Sequence, residues 1–178
     1  MSIAGGLENA FAAGARVGCE CLQIFVKNQR QWHAPPLTDG QGTNIGYRFE
    51  QLASICDRVA ELERLGVCLD TCHLFAAGYD FRKPEGYAAM IDELDSAIGL
   101  SMVKCIHMND SKHEAGSRVD RHEHIGKGKI GKKAFAHFVN DLRFANVPMI
   151  LETPKGKDGR GADLDKVNLK RLRSLIAM

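Results

Sequence analysis

The hydrophobic and polar positions of this chain follow two alternating patterns. Short, nearly continuous apolar runs are typical of buried strands, and they occupy 21–26, 67–70, 102–107 and 147–152. Apolar residues at every third or fourth position indicate amphipathic helices, which we expect over 7–16, 47–65, 85–98 and 135–142, and from 162 to the end of the chain. Strands that alternate with helices predict a parallel sheet covered by helices.

The number of predicted strands limits the kind of α/β fold that this chain can form. The pattern gives about four strands, whereas a closed (β/α) barrel needs eight strands and typically about 250 residues. With 178 residues, the chain has enough length for one domain with a real core, which we expect to cover residues 1–178. It is too short to close such a barrel.

Composition excludes several classes of protein. The apolar fraction of 44% and the charged fraction of 26% are those of an ordinary globular protein. No apolar run approaches the roughly 20 residues that cross a bilayer, and the N-terminus lacks the layout of a secretory signal. We therefore expect a cytoplasmic protein without a membrane partner. The six cysteines form no Cys-x-x-Cys motif, so we expect reduced, buried thiols that act as small hydrophobic side chains.

The two halves of the chain differ in charge although the net charge is only +2. Residues 1–100 hold 8 Lys and Arg against 13 Asp and Glu, and residues 101–178 hold 16 against 9. The basic half also carries most of the candidate metal ligands described below. A basic surface of this kind suits a polyanion such as nucleic acid, although a solvated basic surface has the same composition.

Ligand-type residues stand where predicted strands end, in four cases, or in a loop that follows a strand, in the case of Asp120 and His122. The set comprises three carboxylates and three imidazoles, and its members are Asp70, His73, His107, Asp120, His122 and Glu152. Because the carboxyl ends of parallel strands share one edge of a sheet, we expect these side chains to converge. Each carboxylate alone fits a helix cap or an ion pair, and each histidine alone fits a hydrogen-bonded core residue. Together they predict a multinuclear zinc site, with manganese as the alternative ion.

Several motifs of the chain resemble those of the endonuclease IV family of zinc-dependent apurinic/apyrimidinic endonucleases. The matching segments extend over nearly the whole sequence. They are Ala4-Gly-Gly-Leu, Lys27-Asn-Gln-Arg-Gln-Trp32, Gly66-Val-Cys-Leu-Asp-Thr-Cys-His73, Phe75-Ala-Ala-Gly-Tyr-Asp80, His107-Met-Asn-Asp110, Gly116-Ser-Arg-Val-Asp-Arg-His122, Gly126-x-Gly-x-Ile-Gly131 and Ile150-Leu-Glu-Thr153.

The resemblance implies a TIM barrel with three zinc ions at the carboxyl ends of its strands. It implies that His73, Asp120 and His122 bind one zinc, and that Asp70, His107 and Glu152 bind a second. Asp70 and Glu152 are then also the candidate catalytic residues. The implied reaction is hydrolysis of the phosphodiester 5′ to an abasic site in double-stranded DNA. Loop residues expected to contact the DNA are Lys27, Gln29, Arg30, Arg118, Arg121, Lys127 and Lys129.

The chain also departs from the family pattern. Asp39 meets Gly40 almost directly, where the family has a long stretch with three strands, two histidine ligands and a bridging glutamate. Because the sequence begins at the Ala4-Gly-Gly segment, we expect the first strand of the barrel to be missing as well. We therefore expect an incomplete TIM barrel with an internal deletion at 39–40, holding two zinc ions or fewer. Its exposed sheet edges would favour self-association.

Three hypotheses follow for function. The first is a DNA repair endonuclease of the endonuclease IV type whose activity is impaired by the missing segment. The second is a zinc- and DNA-binding remnant without catalysis. The third is a related sugar isomerase-like barrel, against which the motifs Asp120-Arg-His122 and Asn28-Gln-Arg-Gln-Trp32 argue.

Overall fold

The computed structural model describes residues 7–19, 21–22 and 47–177. The chain divides into two units, 1–45 and 46–178, and each is described by itself. In the first unit the predicted helix is confirmed as α1, Leu7–Arg16. Of the strand predicted over 21–26, only the first two residues are described, and they are irregular. The single-domain organisation and the deletion at 39–40 stay predictions.

The second unit is built around a parallel sheet of three strands in the order β1-β2-β5. Its strands are β1 (Val67–Asp70), β2 (Val103–His107) and β5 (Met149–Ile150). Asp70 is the register partner of His107, so the ends of β1 and β2 lie side by side. The described part of the chain thus contains three of the roughly four predicted strands, and no closed barrel is formed by them.

Helices α3 (Thr71–Ala77) and α4 (Pro84–Ile98) connect β1 to β2, and α5 (Phe135–Val139) lies between β2 and β5, as in a β/α fold. Helix α2 (Phe49–Cys56) precedes β1, and α6 (Leu164–Arg173) follows β5. Helix α4 begins with a proline, whose fixed φ suits the first helical position, and it buries Tyr87, Met90, Ile91 and Leu94. Edge-to-face aromatic contacts join Phe81, Phe138 and Tyr87 in the core behind the sheet. No helix of the described residues is long and apolar enough to cross a membrane.

Several predicted elements are shorter in the structure. The helix predicted over 47–65 ends at Cys56, and a 3-10 turn follows at Leu62–Arg64. Leu62 is 44% exposed, so the apolar positions of its second half bury little surface that would stabilise a longer helix. Similarly, α5 ends before Leu142, which is 88% exposed. Helix periodicity overestimates length where no core covers the apolar face.

The long loop predicted between His113 and Gly131 contains a strand that the sequence did not indicate. Strand β4 (His122–Glu123) pairs antiparallel with β3 (Asp110–Ser111), which follows β2. This short pair brings the loop back over the end of the sheet. It places His122 beside the strand ends that carry the other candidate ligands.

Candidate metal centre

Asp70 is the last residue of β1 and also the N-cap of α3. Its Oδ1 accepts a hydrogen bond from the backbone N–H of His73 at 3.1 Å. Aspartate is a favoured N-cap because it pairs with an otherwise free donor of the first turn. Helix α3 ends after seven residues at Gly78, whose φ of +112° is readily adopted only by glycine. The cap therefore fixes the position of the Asp70 carboxylate relative to the backbone of His73.

The ends of all three parallel strands contribute to a first group of ligands. His107 Nδ1 lies 3.5 Å from Asp70 Oδ2 and 2.8 Å from Glu152 Oε2. The three side chains offer donor atoms within 4.8 Å of one another. The His107 side chain is 4% exposed, whereas that of Glu152 is 36% exposed. The group thus has a buried base and a face open to solvent.

A second group forms around Asp120, whose side chain is 2% exposed. Asp120 Oδ2 lies 3.2 Å from His73 Nδ1, and Asp120 Oδ1 lies 3.4 Å from His122 Nε2. The loop before Asp120 is attached to the end of α3, because the N–H of Arg118 donates to the carbonyl of Ala76 at 3.0 Å. Arg118 has φ +58°, an uncommon value for a residue with a side chain.

The two groups are in direct contact. His122 Nε2 lies 3.6 Å from Asp70 Oδ2, and His122 Nδ1 lies 3.2 Å from the carbonyl oxygen of Glu152. All six predicted ligand positions are therefore brought together at the carboxyl end of the sheet. Sequence reasoning did not foresee Cys72, whose thiol lies within 4.8 Å of donor atoms of Asp120 and His122.

The site perturbs the acidity of its own members. Burial lowers the pKa of His122, but the contact with Asp120 and the charges of Asp70 and Asp120 raise it to about 9. Burial also opposes the charged form of Asp120. The contacts of Asp120 with His122 and His73 outweigh burial, so they lower the pKa of Asp120 to about 2. For His107, burial is outweighed by Asp70 and Glu152, so its pKa is raised.

Two atoms indicate that the donors suit a cation. Among the described side chains, His107 Nδ1 and Asp120 Oδ1 are buried and have no hydrogen-bond partner in good alignment, although each lies close to a group of opposite charge, Glu152 Oε2 at 2.8 Å and His122 Nε2 at 3.4 Å. Buried polar atoms nearly always have such a partner, and a bound ion would supply one. Imidazole nitrogens and carboxylate oxygens are donors that zinc and manganese accept. The residues therefore fit a metal ion.

Asn109, which the sequence pattern did not single out, connects two candidate ligands. Its side-chain N–H donates to Asp70 Oδ2 at 2.9 Å, and its Oδ1 accepts from the backbone N–H of Glu152 at 2.9 Å. Its own backbone is fixed by Thr71, whose hydroxyl accepts from the N–H of Asn109 at 2.8 Å. The signal in the sequence is an amide two residues after the end of a buried strand.

Asp110 organises the glycine-rich loop beside the site. Its carboxylate is fully buried and accepts hydrogen bonds from the backbone N–H groups of Ser111, Gly126, Gly128, Ile130 and Gly131. A Cβ atom at Gly128 would lie 2.5 Å from Asp110 Oδ1. The glycine is therefore required by close approach of the loop to the carboxylate.

The residues predicted to contact DNA divide into two sets. Lys27, Gln29 and Arg30 lie outside the described residues. Arg118, Arg121, Lys127 and Lys129 are exposed around the candidate metal centre. Arg121 donates to the carbonyl of Asp120 at 2.7 Å, which fixes one cation beside a candidate ligand. The ammonium group of Lys129 is 3.0 Å from Glu114.

The prediction of reduced, buried cysteines is confirmed only in part. All six are present as thiols rather than disulfides, but only Cys72 is fully buried. Cys19 and Cys21 are exposed, so the expectation of burial is wrong for this pair. Both follow α1, where the apolar run that suggested a buried strand is irregular in its first two residues.

Residues 36–175 match the model of the xylose isomerase-like TIM barrel family. A protein of Chloroflexus aurantiacus named "Probable endonuclease 4" is 58% identical over 277 residues, which cover 99% of this chain and 96% of that protein. The chain belongs to the endonuclease IV family. Its α/β fold is that of a TIM barrel that the described strands leave incomplete.

Other members match over part of their length. A "Probable endonuclease 4" of Geotalea daltonii is 52% identical over 78% of this chain and 48% of that protein. The crystal structure of endonuclease IV from Thermus thermophilus superposes with a TM-score of 0.63 at 36% identity, over 94% of this chain and 55% of that chain. The chain spans about half the length of these two relatives. The Chloroflexus alignment extends over 277 residues against 178 in this chain, so part of that relative has no counterpart here.

Proposed function

We propose that this chain is a zinc-dependent DNA repair endonuclease of the endonuclease IV type, which hydrolyses the phosphodiester 5′ to abasic sites with reduced activity. One observation carries the proposal: the contact of His122 Nε2 with Asp70 Oδ2 at 3.6 Å joins two groups of ligand-type side chains into one centre. The names of the relatives support the reaction class.

Six residues would hold the ions. His73, Asp120 and His122 form one ligand set, and Asp70, His107 and Glu152 form the other, with manganese as the alternative to zinc. Bound there, such ions polarise a phosphate and lower the pKa of a bound water. Within the described residues the contacts of the six predicted ligands divide them into these two groups, one around Asp120 and one around His107, which supports two ions or fewer per chain.

Asp70 and Glu152 are the proposed catalytic residues. Glu152 exposes part of its carboxylate beside buried His107, so it is placed to meet a water molecule and accept its proton. Asp70 faces members of both groups, since its Oδ2 lies 3.5 Å from His107 and 3.6 Å from His122. It therefore orients the donors of both ligand sets around one substrate phosphate.

Exposed cations beside the centre would bind the DNA backbone. Arg118, Arg121 and Lys127 lie on loops that also carry Asp120 and His122. Contacts with phosphates fix the position of a protein on the duplex without reading its sequence. Lys27, Gln29 and Arg30 are proposed to add contacts at the lesion.

Three further expectations remain proposals. An internal segment that the family has between Asp39 and Gly40 is absent, as the unmatched part of the Chloroflexus relative supports. Among the described strands, the outer edges of β1 and β5 have no neighbour, and such edges favour self-association of two copies. A cytoplasmic location also stays a prediction.

A second candidate function is a zinc- and DNA-binding protein without catalysis. This function is favoured because the chain covers only 55% of the length of the Thermus endonuclease IV. A sugar isomerase-like activity is favoured only by the description of the family model, and the 58% identity to a protein named as an endonuclease argues against it.

An incision assay separates the first two functions. Purified protein with zinc is incubated with a duplex that carries one abasic site, and an intact duplex serves as the control substrate. We expect slow cutting on the 5′ side of the abasic site that EDTA abolishes and that His73→Ala reduces. His113→Ala is the matched variant, because His113 is an exposed histidine outside the ligand set. Binding of the abasic duplex without chelator-sensitive incision at high protein concentration would favour the non-catalytic alternative.

A further inference from the structure

Two thiols occupy the layer of the sheet directly below the first ligand group. Cys68 and Cys105 are register partners on β1 and β2, just as Asp70 and His107 are partners two residues further along. Side chains two residues apart point to the same face of a strand. The pair Cys68–Cys105 therefore shares one face with the pair Asp70–His107.

These thiols and one imidazole are close enough to bind a single ion. Donor atoms of Cys68, Cys105 and His107 lie within 4.8 Å of one another. Ligand atoms of a tetrahedral zinc-type site with metal–sulfur bonds of about 2.3 Å stand about 3.8 Å apart. Small rotations of the side chains thus suffice to bring the two sulfur atoms and one imidazole nitrogen to three corners of a tetrahedron around an ion. A water molecule can occupy the fourth corner.

The position is also open to an ion. His107 is buried and contributes a donor atom to both groups, since its Nδ1 also lies 2.8 Å from Glu152 Oε2. Both thiols are only half-buried, so an ion can reach them from the face that they share.

The geometry points to a site for thiophilic d10 cations beside the first ligand group, with Cys68, Cys105 and His107 as its ligands and Cd²⁺ as the ion that fits it. The site shares His107 with that group. Two S–H bonds are replaced by two sulfur–metal bonds, and the two protons pass to the buffer. Thiolates select soft ions, whereas the carboxylates of the neighbouring groups suit harder ones. The site does not depend on the proposed nuclease activity.

Cadmium titration of the full chain tests this site. The apoprotein is prepared with Cys19 and Cys21 changed to serine, since these exposed thiols would also bind Cd²⁺. Each addition is followed by the ultraviolet charge-transfer absorption of cadmium thiolate. We expect one equivalent of Cd²⁺ to saturate the band. We also expect Cys68→Ser, Cys105→Ser and His107→Ala each to weaken binding by about tenfold or more.

Cys56→Ser is the matched control, because Cys56 is another half-buried thiol but lies on α2. It should bind Cd²⁺ as the parent does. A parent without the band, or a band that persists in both Cys68→Ser and Cys105→Ser, would overturn the assignment. A band lost instead in Cys72→Ser would place the ion with Asp120 and His122 and would equally reject it. Circular dichroism of each variant verifies folding, and incision by the zinc-loaded protein is scored separately.

Discussion

The side-chain amide of Asn109 donates a hydrogen bond to Asp70 Oδ2 at 2.9 Å. The same side chain accepts from the backbone N–H of Glu152 at 2.9 Å, so one buried residue spans the ends of β1 and β5. It fixes the relative position of two candidate ligands from different strands. Groups that orient ligands in this way determine how tightly a site binds its metal.

Replacing Asn109 should therefore weaken metal binding although Asn109 is not itself a proposed ligand. In Asn109→Ala, Asp70 Oδ2 loses its amide donor and the N–H of Glu152 loses its acceptor. We expect the affinity for zinc to fall by about 10- to 100-fold. Competition with a chromophoric chelator measures the change. An unaltered zinc affinity in a folded Asn109→Ala protein would show that the ligands are held by other contacts.

A methyl group at position 128 should destabilise the loop that surrounds Asp110. The added Cβ would lie 2.5 Å from the buried carboxylate, which the surrounding N–H groups hold in place. We expect Gly128→Ala to lower the free energy of unfolding by about 1–3 kcal/mol, the usual cost of overpacking. Urea denaturation measures it.

Gly159→Ala is the control for that experiment. A Cβ at Gly159 meets no atom within 4 Å. Its stability should stay within about 0.5 kcal/mol of the parent, as for most surface substitutions. Equal stability of the two variants would mean that the loop can move away from Asp110.

Asp141 should make stability depend on pH in the acid range. Its side chain is 8% exposed, accepts from the Tyr87 hydroxyl at 2.8 Å and pairs with Arg143. Although burial opposes the charge, these partners lower the pKa of Asp141 below its ordinary value of 3.8. Its contribution is thus present above pH 3.8 and is lost as the pH falls through the lower pKa of the folded state.

We expect Asp141→Asn to cost about 1–2 kcal/mol at pH 7, because hydrogen bonds to a charged group are lost. The difference from the parent should shrink below about pH 4 as the carboxylate becomes protonated. Thermal unfolding across the acid range up to neutral pH measures both curves. A constant difference over this range would mean that the charge of Asp141 does not stabilise the fold.

The sequence predicted those parts of the site that depend on local pattern. Asp70 and His107 end short apolar runs, and such runs are recognisable as buried strands without knowledge of the tertiary structure. Their direct pairing depends on strand register, which no local pattern encodes. Cys72 and Asn109 were missed for the same reason, since their partners are distant along the chain. The partners of the Asn109 side chain, for example, are 39 and 43 residues away.

For helix length, the sequence pattern predicts more regular structure than the chain forms. The periodicity of apolar residues continues from Phe49 to Leu62, but the helix ends at Cys56. Periodicity indicates which face would be buried, whereas burial itself requires a surface to pack against. Strand β4 was missed because two residues are too few to show an alternating pattern.

The metal content of the purified protein tests the central claim most directly. The chain is loaded with zinc, freed of excess metal and analysed by plasma mass spectrometry, next to His73→Ala and His113→Ala. We predict one or two zinc ions per parent chain, one fewer in His73→Ala and no change in His113→Ala. A parent without zinc, a parent with three tightly bound ions, or unchanged zinc in His73→Ala would contradict the account.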